Sequence, residues 1–475
     1  MLKRWHVFKM VLMVALIMSM VSVGTVNAAV SNFYPVIAPN GADPSVYKHS
    51  DGYYYSTFTT GGNVTLWRSK SLAGLYSGTV SSGNRMVIWT PPATGAYSKN
   101  IWAPEIQFIN NKWYVYFAAD NGNNVNHRMY ALENTSANPF QGTWTFKGKI
   151  NPPDNDDWAI DGVVLNQAGS LYFIWSGWEG TIKNQHIYIA PMSDPLTISG
   201  SRVKIASPTF SWETNTTPQV NEGPQVIVKN GKISIVYSAS GSWTNNYCLA
   251  LITASTSSNL LQASSWTKKN TPIFQSSNGI FGPGHHSFTT SPDGTEDWIV
   301  YHAARWSGSG WTRAIHAKPF SWNADNTPNL GTPASRNSTI SLPSGDYTHE
   351  RYQAENALLS NGPVVKSLSG ASGGKAVGSI DFTNSYVEFT VNVPSTGWYA
   401  MTTRYDSGSA TDIDATLNVS VNGGTAESMI MRSTRWGNWS NTATQVYLTS
   451  GTNTIRFTKG DGYAQLDHID IFKLQ

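Results

Sequence analysis

Four acidic residues and one histidine occur at corresponding places along the chain, each shortly before an aromatic segment. They are Asp43, Glu105, Asp161, Glu222 and His285. Such side chains can donate and accept protons, and a buried charge is costly without a task or a partner. Each acid alone, beside Pro or Gly, is typical of a turn or cap. Their occurrence at equivalent places instead predicts one shared polar site.

The aromatic segments that follow these residues form a fivefold repeat. Their first aromatic or aliphatic positions are spaced by 60, 58, 62 and 65 residues. Each segment is rich in aromatic and β-branched residues and follows a turn, which predicts a buried strand in a hairpin. The segments are Gly52–Phe58, Lys112–Ala119, Ser170–Trp178, Lys232–Ser240 and Asp297–Ala304.

Five hairpins at near-equal spacing predict an all-β chain whose first part, residues 31–335, is a five-bladed β-propeller. The innermost strand of each blade lines the central channel of a propeller, so equivalent positions in five blades converge at one end of it. A β-sandwich with coincidental spacing is the alternative.

Composition supports this fold class. Charged residues make up only 13% of the 475 residues, while aromatic residues make up 12% and there are 41 glycines. This profile excludes coiled coils and helical bundles and disfavours disorder. The formal net charge of +3 equals the three basic residues Lys3, Arg4 and Lys9 near the start, so nucleic acid is not an expected partner.

The first 28 residues are predicted to be a secretory signal peptide. Basic residues precede the apolar run Met10–Val23, and small residues follow it before a cleavage point after Ala28. A short membrane anchor is the alternative, but the run is shorter than the roughly 20 residues that a span needs. The chain is therefore predicted to be secreted and extracellular, without a membrane partner. Its one cysteine, Cys248, lies in an apolar stretch and is predicted to be a buried thiol.

The motifs at the blade starts resemble those of glycoside hydrolase family 43, a family of five-bladed propeller enzymes. The resemblance covers roughly residues 33–335, and Trp102–Glu105 together with the aromatic strands is most similar to the arabinofuranosidase branches. The matching motifs, in chain order, are ADP, DGYYY, WAPE, KWYVYFAA, IDG, NEGP and GPGHH.

The resemblance implies a role for each of three acids. Asp43 is the expected general base, Glu222 the general acid, and Asp161 the residue that raises the pKa of Glu222 and orients it. The family inverts configuration, so the carboxyl groups of Asp43 and Glu222 are expected to lie roughly 6.5–9.5 Å apart, with room for a water molecule. No cofactor is expected for the chemistry.

Further residues are assigned to the same channel. The resemblance implies that His285 lies near a bound ion, with a satisfied core histidine as the alternative. Glu105 is expected to join this network or to hold a sugar hydroxyl, and Arg305 to hydrogen-bond the sugar. Three aromatic residues are candidates for stacking on a sugar, with blade packing as the alternative: Trp102, Trp178 and Phe58.

The last third of the chain has a different pattern. Residues 336–348 are predicted to be a linker, and residues 349–475 a β-sandwich, because short strands there alternate in polarity. The opening and closing motifs of this part, YQAENA and LDHIDI, resemble carbohydrate-binding modules of the family 6 and 35 group.

That resemblance implies a structural calcium ion in the jelly-roll-like module. Its ligands are expected to be Gln353, Glu355, Asp470 and the carbonyl of Lys375, since oxygen ligands suit a hard cation. Sugar binding by the module is expected to use Trp436, Trp439 and Tyr405, with sandwich packing as the alternative.

The predicted function is a secreted, inverting glycoside hydrolase that releases α-L-arabinofuranose from arabinan or arabinoxylan. Its partner is plant cell-wall polysaccharide or oligosaccharide, and it is expected to be a monomer. Three alternatives stay open: a β-xylosidase, an endo-arabinanase, and a non-catalytic polysaccharide-binding protein.

Overall fold

The computed structural model describes residues 29–408 and 412–474, so the predicted signal peptide lies outside the described residues. Within the described part, strands dominate and the helices are five short 3-10 turns, which confirms the all-β prediction. No helix among the described residues has the length and apolar character needed to cross a membrane. The 3-10 turns are Leu75–Ser77, Asn124–Asn126, Ala263–Ser265, Ala354–Asn356 and Ser372–Gly374.

Five antiparallel sheets follow one another along the first part of the chain, and we number them sheets 1 to 5. Sheet 1 contains Ala42–Lys48, Tyr54–Thr59, Val64–Ser69 and Arg85–Trp89. Sheet 2 contains Lys99–Ile109, Lys112–Asp120, Arg128–Asn134 and Thr145–Ile150. Sheet 3 contains Ala159–Gln167, Ser170–Glu179, Ile182–Asp194, Thr197–Ile198 and Val203–Ala206.

Sheets 4 and 5 repeat the pattern, and the N-terminal strand Val36–Ala38 joins sheet 5. Sheet 4 contains Asn221–Lys229, Lys232–Ala239, Cys248–Ser255 and Thr267–Lys268. Sheet 5 further contains Phe281–Thr290, Asp297–Ala304, Arg313–Trp322 and Pro328–Asn329. Cys248 is buried in sheet 4, as predicted, and burial raises the pKa of its thiol to about 12.

The first strand of each sheet, here called its inner strand, packs beside the inner strands of the neighbouring sheets. Polar side chains join neighbouring sheets by hydrogen bonds to backbone groups. Between sheets 1 and 2, Ser45 Oγ accepts from the Ile106 N–H at 3.0 Å. Between sheets 5 and 1, Ser287 Oγ accepts from the Val46 N–H at 3.0 Å. Because the fifth sheet returns to the first, the five sheets form a ring.

The C-terminal part consists of two sheets that enclose one apolar core, the arrangement of a β-sandwich. Its seven-stranded sheet contains Ala29–Val30, His349–Gln353, Val364–Ser367, Lys375–Gly378, Gly397–Ser407, Ser440–Leu448 and Ala464–Lys473. Its five-stranded sheet contains Leu358–Ser360, Tyr386–Val393, Ala415–Val421, Glu427–Met431 and Gly451–Lys459. A further pair joins Asn32–Phe33 to Ile340–Ser341.

The sandwich packs directly against the ring. Asp346 Oδ2 accepts from the N–H groups of Leu72 and Ala73 at 2.9 and 3.1 Å, and the Arg404 guanidinium lies 3.3 Å from the centre of the Tyr34 ring. The segment predicted as a linker therefore contributes contacts of its own, since Asp346 belongs to it. The exact domain boundaries stay a prediction.

Candidate active site

The residues predicted to form a shared polar site lie where the inner strands are irregular. At this place the pairing of each inner strand with the second strand of its sheet shifts register. Each of the five shifts includes a residue with positive φ; in the order of the sheets, these are Asp43, Ala103, Asp161, Gly223 and His285. A β-bulge of this kind bends a strand and re-aims its side chains. The bulges thus turn polar side chains of a buried strand towards one another at one end of the ring.

Asp43 lies among cations and hydrogen-bond donors. Its carboxylate accepts from Thr59 Oγ1 at 2.6 Å and lies 3.2 Å from His285 Nδ1 and 3.5 Å from Arg313 Nη1. Burial raises the pKa of Asp43, but the positive charges of His285 and Arg313 together hold it well below its ordinary value. Asp43 is therefore a carboxylate near neutral pH.

Glu222 and Asp161 experience the opposite environment. Burial, which is the largest effect, raises the pKa of Glu222, and the negative charge of Asp43 adds to it. Burial together with the charges of Glu222 and Asp43 raises the pKa of Asp161 to about 8. Because these two acids repel each other when both are ionised, the pair retains a proton near neutral pH.

Two hydrogen bonds position this pair. Asp161 Oδ2 accepts from the N–H of Gly223 at 2.9 Å, which places it beside the residue that follows Glu222. The Tyr247 hydroxyl donates to Glu222 Oε1 at 2.8 Å. Gly223 has a φ of 55°, and a Cβ there would lie 3.1 Å from the imidazole of His285, so a side chain at this position would disturb the cluster.

His285 lies at the centre of the acids. Its Nε2 is 3.3 Å from Glu105 Oε1, and its Nδ1 is 3.2 Å from Asp43 Oδ1 and 3.9 Å from Asp161 Oδ2. Burial lowers the pKa of His285, but the three carboxylates more than offset this and raise it to about 10. The side chain is therefore an imidazolium that neutralises part of the acid cluster.

The expected position of His285 near a bound channel ion stays a prediction. Among the described residues, no group of three or more His, Cys, Asp and Glu side chains is arranged to hold a metal. The second oxygen of Glu105 accepts from Gln225 Nε2 at 2.9 Å, so Glu105 supports His285 in this network.

The aromatic candidates of the ring are engaged with other rings. Trp102 stacks on His127 at 4.0 Å, Phe58 on Trp67 at 4.4 Å and Trp178 on Trp158 at 4.6 Å between ring centroids. Trp178 is buried, while Trp102 and Phe58 are half-buried. Sugar stacking by these residues stays a prediction, and only the two half-buried rings retain exposed surface for it.

The structure corrects two of the three aromatic candidates of the module. Trp439 is 1% exposed and donates from Nε1 to the carbonyl of Ser369 at 2.9 Å. Tyr405 is fully buried in the sandwich core and donates to the carbonyl of Arg432 at 3.1 Å. Neither ring can stack on a sugar from solvent, so both serve packing. Trp436 is 47% exposed and stays a candidate.

The calcium ligands predicted for the module fall into two groups. Gln353 Oε1 and Glu355 Oε2 are buried oxygen atoms without a hydrogen-bond partner among the described residues, and such oxygens suit a hard cation. Asp470 instead receives two hydrogen bonds of 2.8 Å from Arg351. Gln353 and Glu355 therefore fit a cation, whereas the charge of Asp470 is neutralised by Arg351. Lys375, whose carbonyl is the fourth expected ligand, begins the strand Lys375–Gly378, and its role as a ligand stays a prediction.

Several residues of the site were not singled out from the sequence. Tyr247 comes from the loop before the third strand of sheet 4, and Arg313 from the third strand of sheet 5. His302 lies within a repeat segment, and its Nδ1 accepts from the N–H of Asp43 at 3.0 Å. The only sequence signal for His302 is a histidine inside an otherwise apolar repeat strand.

At one end of the ring of five sheets lie acids whose pKa values are shifted in opposite directions. Such a pair is suited to general acid–base cleavage of a glycosidic bond. The profile of glycosyl hydrolases family 43 matches residues 33–328, and the chain belongs to this family. The profile of carbohydrate binding module family 35 matches residues 350–474. Of the two families in the predicted group, 6 and 35, the match is therefore to family 35.

Relatives of this chain include named arabinofuranosidases. The chain is 42% identical over 309 residues to an extracellular exo-alpha-(1->5)-L-arabinofuranosidase of Streptomyces avermitilis, covering 62% of this chain and 63% of that protein. It is 32% identical over 389 residues to alpha-L-arabinofuranosidase 43 of Humicola insolens, covering 79% and 75%. The crystal structure of an alpha-L-arabinofuranosidase from Lactobacillus brevis, 35% identical, aligns with a TM-score of 0.60 over 64% of this chain and 98% of that one.

Proposed function

We propose that the protein is a secreted, inverting exo-α-L-arabinofuranosidase that acts on arabinan or arabinoxylan, with a module that binds polysaccharide. One observation carries the catalytic part. Buried carboxyl groups at one end of the ring have pKa values shifted in opposite directions, lowered for Asp43 and raised for Glu222. The names of the relatives support the sugar and the extracellular location. The five sheets are then the blades of the propeller expected for this family.

In this mechanism Asp43 is the general base. Its carboxylate is ionised before the reaction, because the neighbouring cations His285 and Arg313 stabilise the charge, and it accepts a proton from the attacking water. The Thr59 hydroxyl donates to the Asp43 carboxylate at 2.6 Å, and the Asp43 N–H donates to His302 Nδ1 at 3.0 Å. These two bonds hold the side chain and the backbone of Asp43 in place. The water then attacks the anomeric carbon on the face opposite the leaving group, which inverts the configuration.

Glu222 is the general acid. The coupled pair of Glu222 and Asp161 keeps a proton near neutral pH, and Glu222 delivers it to the leaving oxygen. Asp161 acts through Glu222 as a positioning residue, because its bond to Gly223 N–H holds the backbone next to Glu222. After bond cleavage the Tyr247 hydroxyl stabilises the carboxylate that Glu222 has become.

A calcium ion in the module is part of the same proposal. Gln353 and Glu355 would hold it with their buried oxygens, and it would order the start of the module without taking part in catalysis.

Leaving-group dependence separates the two catalytic roles. Glu222→Gln is expected to slow release of arabinose from oligosaccharides by at least roughly a hundredfold, because an alkoxide leaves poorly without a proton. The loss should be much smaller for dinitrophenyl α-L-arabinofuranoside, whose leaving group needs no proton. Asp43→Asn should slow both substrates equally, since both need an activated water.

Glu213→Gln is the matched control, because Glu213 is a fully buried glutamate that pairs with Lys268 away from the acid cluster. It should retain both activities. Equal losses on both substrates for Glu222→Gln would contradict its role as general acid, and activity on aryl β-D-xylosides alone would contradict the proposed sugar.

A further inference from the structure

A groove follows the boundary between the ring and the C-terminal sandwich. It consists of two cavities of about 570 and 430 Å³, and Asn40 and Arg432 line both of them. These volumes lie in the range of ligand pockets, roughly 300–1,000 Å³. Asn40 belongs to the ring and Arg432 to the sandwich, so the two domains form the groove together.

One end of the groove is connected to the acid cluster through two intervening residues. Trp311, which is 69% exposed, lines this end and donates from Nε1 to Ser242 Oγ at 3.2 Å. Arg313 donates to the carbonyl of the same serine at 3.2 Å and lies 3.5 Å from Asp43. A single serine and a single arginine therefore separate this exposed indole from the proposed general base.

Ion pairs form the wall between the two cavities. Arg305 donates to Asn40 Oδ1 at 2.5 Å and lies 3.7 Å from Asp414 across the domain boundary. Asp414 also pairs with Arg432 at 2.5 Å. Because Asp414 pairs with both arginines, these three residues leave one net positive charge, and this part of the groove mainly offers hydrogen-bonding groups to a ligand.

The other end of the groove is aromatic on both sides. Tyr447 of the sandwich is 52% exposed and meets Trp398 edge to face at 5.5 Å. Phe58 of the ring lines the opposite wall. Rings with exposed faces beside neutral hydrogen-bonding groups recognise sugars, which have apolar faces and hydroxyl rims.

We propose that this groove binds the part of a neutral polysaccharide chain that extends from the sugar being cleaved, so that ring and sandwich hold one chain together. The proposal rests on the proposed function, because it takes the acid cluster as the place of cleavage. Arg305, predicted from the sequence to hydrogen-bond the sugar, lines this groove and would contact the chain there.

The test measures affinity against chain length. Calorimetry with linear α-1,5-arabino-oligosaccharides, from dimer to octamer, is performed in the Glu222→Gln background to prevent turnover. Affinity should rise with length, and Trp311→Ala or Tyr447→Ala should each lower the affinity for the octamer about fivefold while changing that for the dimer less. Tyr463→Ala is the matched control, because Tyr463 is a 60% exposed tyrosine of the sandwich outside the groove.

The proposal is overturned if affinity does not rise with length, or if the three alanine variants behave alike. Hydrolysis of aryl glycosides by the wild-type protein separates this failure from a failure of the proposed function. If only aryl xylosides are cleaved, the proposed substrate is wrong. The binding series is then repeated with xylo-oligosaccharides, and the same criteria decide whether the groove binds the polysaccharide chain.

Discussion

Removal of one hydroxyl group, in Tyr247→Phe, should shift the alkaline limb of the pH–rate profile to higher pH. Tyr247 donates to Glu222 Oε1 at 2.8 Å and thereby lowers the pKa of Glu222 against the larger effect of burial. A hydrogen bond to a charged group contributes about 1.5–3 kcal/mol, and about 1.4 kcal/mol corresponds to one pKa unit. Because the protonated acid also keeps part of the interaction, we expect a shift of about one pH unit.

The phenylalanine should preserve the packing. The Tyr247 ring is buried and lies parallel to the His302 ring, with 5.6 Å between their centroids, and this contact does not involve the hydroxyl group. The profile of kcat/KM on an arabino-oligosaccharide reports the free enzyme, in which Glu222 titrates together with Asp161. The expected direction follows from the sign of the effect: without the donor, the ionised form of Glu222 is less stable and the proton is lost at higher pH.

Tyr237→Phe is the matched control for this shift. The Tyr237 hydroxyl donates to a buried carboxylate as well, that of Glu213 at 3.0 Å, but this pair lies outside the acid cluster. Its pH–rate profile should match that of the wild type. An alkaline limb that stays in place or moves to lower pH in Tyr247→Phe would refute the assignment of Glu222 as the acid.

Three other changes test separate parts of the account. Asp161→Asn removes a negative charge beside Glu222 while keeping an acceptor for Gly223, so the alkaline limb should move to lower pH and kcat should fall at least about a hundredfold. His285 holds its proton to about pH 10 in the folded protein, so the free energy of unfolding should fall as pH rises from about 6.5 to 10, and His285→Gln should flatten this loss in denaturant titrations. Addition of calcium after chelation should raise the Tm of the module, and Glu355→Ala should abolish the increase; an unchanged Tm in the wild type would contradict the calcium site.

The position of the acids could be predicted because the repeat itself carries the information. Each acid or histidine is part of a bulge at the start of an inner strand, and the bulge recurs with the period of the sheets. Backbone with positive φ favours Gly and tolerates Asp and Asn, so the same local chemistry marks the place in several repeats.

The partners of the acids could not be predicted in this way. Tyr247 and Arg313 belong to segments outside the inner strands, and they reach the site only because the ring brings neighbouring sheets together. Two of the three aromatic candidates of the module failed for a related reason. Alternation along a strand identifies two faces but not which face is covered, and Tyr405 belongs to the covered one.

The central claim is exo-acting release of arabinose by the acid cluster, and a time course of products from linear 1,5-arabinan tests it most directly. The account predicts arabinose as the sole early product of the wild-type protein and no product above background from Glu222→Gln. A ladder of oligosaccharides at the first time points would contradict exo action, and equal arabinose release by Glu222→Gln would contradict the assignment of the acid.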